Sequence, residues 1–139
     1  MKFKILFTII LFIFASLGSA DELRNAVNSK DRSEKNIVRD EFRKPYETLS
    51  FFQLEPNMTI VELSPGGGWY TEILANFVRK SGSLIAAHFS KDSDRAYFRN
   101  SRINFEKKVK ENNLYEKVTV VDLNSELSDP SSVDAVLTF

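Results

Sequence analysis

Residues 58–80 constrain this chain more than any other stretch. A near-continuous apolar run, Met58 to Leu63, enters three consecutive glycines, Gly66 to Gly68. An amphipathic helical pattern, Thr71 to Lys80, follows at once. An apolar run of this length suits a parallel strand buried on both faces. Glycines between such a strand and a helix leave bare backbone at the helix N-terminus, where a ligand can approach closely. The order strand, glycine loop, helix is the first unit of a doubly wound sheet that holds nucleotide-like cofactors.

The flanking sequence extends that pattern. Asp21 to Arg43 is polar and reads as one or two short helices. Pro45 suits the first turn of another, with Tyr46, Leu49 and Phe52 as its apolar stripe. Ser83 to Phe89 reads as a second strand. A long helix follows to about Asn113, with Ser90 to Ser93 offering capping residues. Phe98, Phe105 and Val109 line one face of it; Arg95, Arg99, Arg102, Lys108 and Lys110 are expected to form a solvated basic face. Lys117 to Val121 is a third strand, Ser128-Asp129-Pro130 a turn, and Val133 to Phe139 a fourth strand. Alternation of this kind predicts an α/β, Rossmann-like doubly wound fold with a mainly parallel sheet. The sequence stops inside or at the end of this fourth strand, which predicts an N-terminal fragment of a longer protein or a truncated gene product.

The first twenty residues differ in kind. Lys2 and Lys4 precede an apolar run, Ile5 to Leu17, and Gly18-Ser19-Ala20 then gives way to Asp21-Glu22. This predicts a signal peptide cleaved after Ala20 and a periplasmic or secreted product, touching a membrane only through the uncleaved segment. The apolar run is short of the ~20 residues that span a bilayer. Three parts are therefore expected: 1–20 signal peptide, 21–56 helical segment, 57–139 cofactor-binding half-domain. A formal net charge of +0 argues against nucleic acid as a partner. The absence of cysteine excludes disulfides, thiolate metal sites and a cysteine nucleophile.

Three ligand classes use loops of this sort. No Lys-Ser or Lys-Thr follows the glycines, which excludes a P-loop. In the dinucleotide pattern G-x-G-x-x-G, Gly66 and Gly68 fit but the third glycine falls on Thr71, which disfavours NAD and FAD. The S-adenosylmethionine loop, acid-x-G-x-G-x-G, finds Glu62, Gly66 and Gly68 in place, with Ser64 for the first glycine and Pro65 stiffening the turn. Trp69 and Tyr70 could face a sulfonium cation, although packing is the ordinary role of such aromatics. His88, the single histidine, could act as a base or as a structural hydrogen-bonder. Arg39, Asp40 and Arg43 could cover the cofactor edge or form a salt-bridged surface helix.

Arg39 to Phe52, Met58 to Ala75, Ala86 to Phe89 and Asp134 to Phe139 together resemble a family of bacterial class I methyltransferases, many of them exported. The resemblance covers about residues 37 to 139, and Pro65 to Tyr70 is its distinctive core. It implies S-adenosyl-L-methionine as cofactor and methyl transfer to an acceptor that the sequence does not identify. It implies that Gly66, Gly67 and Gly68 lie against the methionine part of the cofactor and that Glu62 meets its ammonium. Members carry an acid for the ribose where this chain has His88, and an adenine contact at the position of Asp122. The alternative expectation is a non-catalytic module or pseudoenzyme that binds S-adenosylmethionine or a nucleotide.

Overall fold

The computed structural model describes residues 18–127, 129 and 131–139. Residues 1–17, which hold the apolar run of the expected signal segment, lie outside them, as do Ser128 and Pro130 of the expected turn. No helix among the described residues is long and apolar enough to cross a membrane.

Residues 18–27 are helical (α1). Three short helices follow: Glu34–Ile37 (α2), Asp40–Arg43 (α3) and Pro45–Phe51 (α4). Lys44, with φ +46°, separates the last two, and Pro45 opens α4 as expected. Thr59–Leu63 (β1) then leads through the glycine loop into Trp69–Val78 (α5). Ser83–His88 (β2), Ala96–Glu111 (α6), a 3-10 turn at Asn113–Tyr115, Val118–Asp122 (β3) and Ala135–Leu137 (β4) complete the order.

The four strands form one parallel sheet in the order β3-β2-β1-β4, flanked by helices. This is the expected α/β architecture with a parallel sheet, and it is compatible with a Rossmann-like fold. Parallel strands need long crossovers, and α5 and α6 supply the first two. After β3 the chain returns past β2 to pair β4 with β1, aligning Ile60 with Ala135 and Glu62 with Leu137. The strand order thus reverses between β1 and β4. In open parallel sheets, ligands bind outside the carboxyl ends of the strands at such a switch point.

One hydrophobic cluster joins the elements. Ile73, Leu74 and Val78 of α5 pack with Ile60 and Leu84 of the sheet, Leu49 of α4 and Leu23 and Ala26 of α1. The expected stripe on α4 holds at Leu49, which is fully buried, and Tyr46; Phe52 lies just past the helix and stays 41% exposed.

Several boundaries differ from expectation. Helix α5 starts at Trp69 rather than Thr71, because Gly68 in a left-handed conformation already serves as its N-cap. Helix α6 starts only at Ala96, without a side-chain cap. Ser90 and Ser93 instead accept hydrogen bonds from the Asp92 and Arg95 amides within the preceding loop. The basic face of α6 is not wholly solvated. Arg102 is 5% exposed and donates to the carbonyls of Phe89 and Val121, which tethers the helix to the ends of β2 and β3.

Candidate functional site

The loop at residues 64–68 takes its shape from left-handed backbone at alternate positions. Ser64, Gly66 and Gly68 have φ of +54°, +57° and +78°. Ser64 occupies the place where a glycine was expected, and it adopts a glycine's conformation. Its amide donates to the Ala87 carbonyl at 2.8 Å, which fixes the strand exit. A non-glycine residue held in this region costs on the order of 1 kcal/mol.

The carbonyls of all three glycines are engaged by side chains. His88 is fully buried at the tip of β2, and its Nδ1 accepts from the Phe89 amide at 2.7 Å. Nε2 therefore carries the proton and donates to the Gly66 carbonyl at 3.1 Å. Burial lowers the His88 pKa and the nearby Arg102 charge adds to that, so the ring stays neutral. From α6, the Lys108 ammonium donates to the carbonyls of Gly67 at 3.1 Å and Gly68 at 3.2 Å. The same ammonium pairs with Glu72 at 2.9 Å. Glu72 is 1% exposed and also accepts from the Ser33 hydroxyl; although burial works against its charge, Lys108 and these neighbours hold its pKa below the usual value.

With the carbonyls occupied, the amides are what the loop has left to offer. Among the described residues, the Gly66 and Gly67 N–H groups have no hydrogen-bond partner. They lie beside the N-terminus of α5, where the helix dipole adds partial positive charge.

Two cavities flank this loop, and Gly66 and Gly67 line both. One, of about 490 Å³, lies at the β1/β4 switch point. Glu62, Ser64, Pro65, Trp69 and Tyr70 share its wall with the two glycines; Lys35, Asn36, Arg39 and Arg43 of the N-terminal segment and Phe139 after β4 complete it. The other, of about 760 Å³, lies between the loop, the stretch from Asp31 to Lys35 and α6, and includes Glu72, Phe105 and Lys108.

Glu62 is 2% exposed and accepts from the Thr71 hydroxyl at 2.6 Å. Burial raises its pKa to about 7, against the opposing pull of Thr71 and Lys108. It is thus a carboxyl group poised between charge states on the wall of the switch-point cavity. Trp69 and Tyr70 are buried and packed. The Trp69 indole donates to the Asn36 carbonyl at 2.8 Å, and Tyr70 stacks on Phe139 with ring centres 3.6 Å apart.

Seven of the ten site residues expected from the sequence therefore meet at one cavity: Glu62, Ser64, Pro65, Gly66, Gly67, Trp69 and Tyr70. Gly68 is turned toward α6, where an added Cβ would meet Phe105 at 2.9 Å. His88 lies under the loop with both ring nitrogens engaged. Asp122, opposite His88 in the sheet, accepts from the Asn124 amide and is held below its ordinary pKa chiefly by Ser90. Neither lines either cavity. Of the two roles open to His88, the structural hydrogen bond is the one observed. Asp40 is in the salt-bridged arrangement, paired with Arg32, whereas Arg39 and Arg43 face the cavity. The roles of Lys108 and Arg102 were not anticipated; Arg102, Phe105 and Val109 recur at helical spacing on one face, which was the available signal. Among the described residues no group of His, Asp and Glu could hold a metal ion.

No protein-family model matches the sequence, and comparison with curated proteins gives no match.

Proposed function

We propose that this chain binds S-adenosylmethionine at the glycine loop and forms the cofactor-binding part of a class I methyltransferase. The observation that carries this reading is Gly67. Its φ lies outside the left-handed region, and an added Cβ would meet no described atom within 4 Å. Neither backbone strain nor internal packing accounts for a glycine there. What a side chain at Gly67 would obstruct is the approach of a ligand to bare backbone between two cavities.

The residues present suit the methionine end of that cofactor. The free amides of Gly66 and Gly67, at a helix N-terminus, suit a carboxylate. Glu62, on the same wall, suits an ammonium. The cofactor supplies an activated methyl group on a sulfonium, and the protein's task is to bind and align it and to exclude water. The acceptor is a nucleophile of a kind these residues leave open. The basic and apolar start of the sequence supports export as part of the same reading.

A second reading is a non-catalytic module that binds the cofactor or a related nucleotide. The observation favouring it is at the tip of β2, where a buried His88 stands in place of an exposed acid that could meet ribose hydroxyls. Calorimetric titration with S-adenosylmethionine and S-adenosylhomocysteine separates the possibilities. Binding of both is expected. Binding of neither discards the methyltransferase reading, and binding without turnover against any acceptor favours the module.

A further inference from the structure

The switch-point cavity has a second wall that the glycine loop does not explain. Lys35, Arg39 and Arg43 stand four residues apart and line the same cavity. They sit on α2, on the turn after it and at the end of α3, so the two short helices present them together. Among the described residues, none of the three takes part in an ion pair. Asp40, the acid nearest in sequence, is taken by the Arg32 guanidinium in a two-pronged contact at 2.6 and 2.8 Å. Glu62, the one acidic side chain among the lining residues, is engaged by Thr71.

Arg43 is also held in place. Its guanidinium lies over the Trp69 ring at 4.8 Å and the Tyr70 ring at 5.8 Å. Stacking on aromatic faces leaves the edge donors of a guanidinium free, and those donors match the oxygens of a carboxylate or phosphate. Three unpaired cations converging on one cavity, one of them fixed by aromatic rings, have the chemistry of an oxyanion receptor.

We infer that Lys35, Arg39 and Arg43 form a binding site for a carboxylate or phosphate group carried by the methyl acceptor, separate from the amides of the glycine loop. The identity of the carrier rests on the methyl-transfer reading; the oxyanion site does not. The acceptor is then an anionic small molecule, or an anionic group on a larger one, whose charge docks against α2 and α3 while its nucleophile faces the loop.

Trp69 is the single tryptophan of the chain and lies against Arg43, so its fluorescence reports on this site. The experiment titrates the full chain with inorganic phosphate, alone and with S-adenosylhomocysteine present, and repeats both in Arg39→Gln/Arg43→Gln and in Lys35→Gln. All three side chains are exposed, so the variants are expected to fold, and circular dichroism checks this. Phosphate is expected to shift the emission in the wild type. The double variant should weaken its binding by about tenfold or more while changing S-adenosylhomocysteine affinity less than about twofold. No phosphate response, or an equal one in the folded variants, would overturn the site. Displacement of S-adenosylhomocysteine by phosphate, with methylthioadenosine unaffected, would overturn the assignment to the acceptor and give the cations to the cofactor's own carboxylate. A cation-dependent phosphate response without any S-adenosylhomocysteine binding would uphold the oxyanion site while the methyl-transfer reading fell.

Discussion

His88 lies beneath the glycine loop and gives its single ring proton to the Gly66 carbonyl at 3.1 Å. Both nitrogens are committed, one to the loop and one to the Phe89 amide, so protonating the ring breaks a bond. The folded-state pKa is depressed below the ordinary 6.5, mainly by burial. The stability this group contributes is therefore present above pH 6.5 and lost as pH falls further. His88→Leu is expected to cost about 1–3 kcal/mol at pH 7.5 by leaving a carbonyl unmet. Denaturant unfolding at pH 7.5 and 5 should show a smaller acid-side loss in the variant than in the wild type.

Glu62 imposes a slope of the opposite sign. Its pKa rises from 4.5 to about 7 on folding, so the folded state binds the proton more tightly. Stability is greatest below pH 4.5 as far as this group is concerned, and it declines as pH rises toward 7, by about 3 kcal/mol in all. Glu62→Gln should remove that decline and be the more stable protein at pH 8. If a ligand ammonium docks against this carboxylate, binding at pH 6 will release a proton. Calorimetry in buffers of different ionisation enthalpy measures that release, and none in Glu62→Gln is the expected control.

Gly67 and Gly68 make a discriminating pair. Gly68→Ala forces a Cβ to 2.9 Å from Phe105 at a φ of +78°, and a loss of about 2 kcal/mol or more in stability is expected. Gly67→Ala meets nothing in the fold, so its melting temperature should stay near that of the wild type while S-adenosylhomocysteine binding falls at least about tenfold. Unchanged affinity in Gly67→Ala would mean that the loop is only a turn.

Lys108→Met withdraws the ammonium from two loop carbonyls and leaves the buried Glu72 carboxylate without its cation. Breaking one side of a buried pair costs on the order of 3 kcal/mol. The double variant Lys108→Met/Glu72→Leu should recover part of that loss, because no charge is then stranded. Urea midpoints of the two single variants and the double give the coupling directly.

Ser64→Gly tests the strain at the strand exit. The native φ of +54° suits glycine better than serine, so a gain of about 0.5–1 kcal/mol is expected, offset in part by the greater freedom of glycine when unfolded. An unfolding midpoint below that of the wild type would count against the strain.

The frame of the molecule was legible because it is written in local signals. The apolar run at Met58 to Leu63, the glycines after it and the amphipathic stretch at Thr71 to Lys80 each speak through neighbouring residues. Strand order reversal and the placing of Glu62 with Trp69 and Tyr70 on one cavity follow from that frame. A structural hydrogen bond for His88 was legible, but the partners of His88, Arg102 and Lys108 were not. Each depends on a side chain reaching an element distant in sequence, and residue type alone does not reveal such a partner. Ser64 shows a related limit, since a motif departure in the letters hides backbone geometry that is kept.

The anchors of the glycine loop also set when it can form. The His88 contact to Gly66 spans 22 residues and the Lys108 contact to Gly67 spans 41. A chain emerging in order from N- to C-terminus carries residues 64–68 well before either anchor exists. Closing such separations is entropically costly until the intervening strand and helix have condensed. The loop should thus be among the last features to settle during folding, and the Ser64 amide proton, bonded to the Ala87 carbonyl, a gauge of whether β2 has docked.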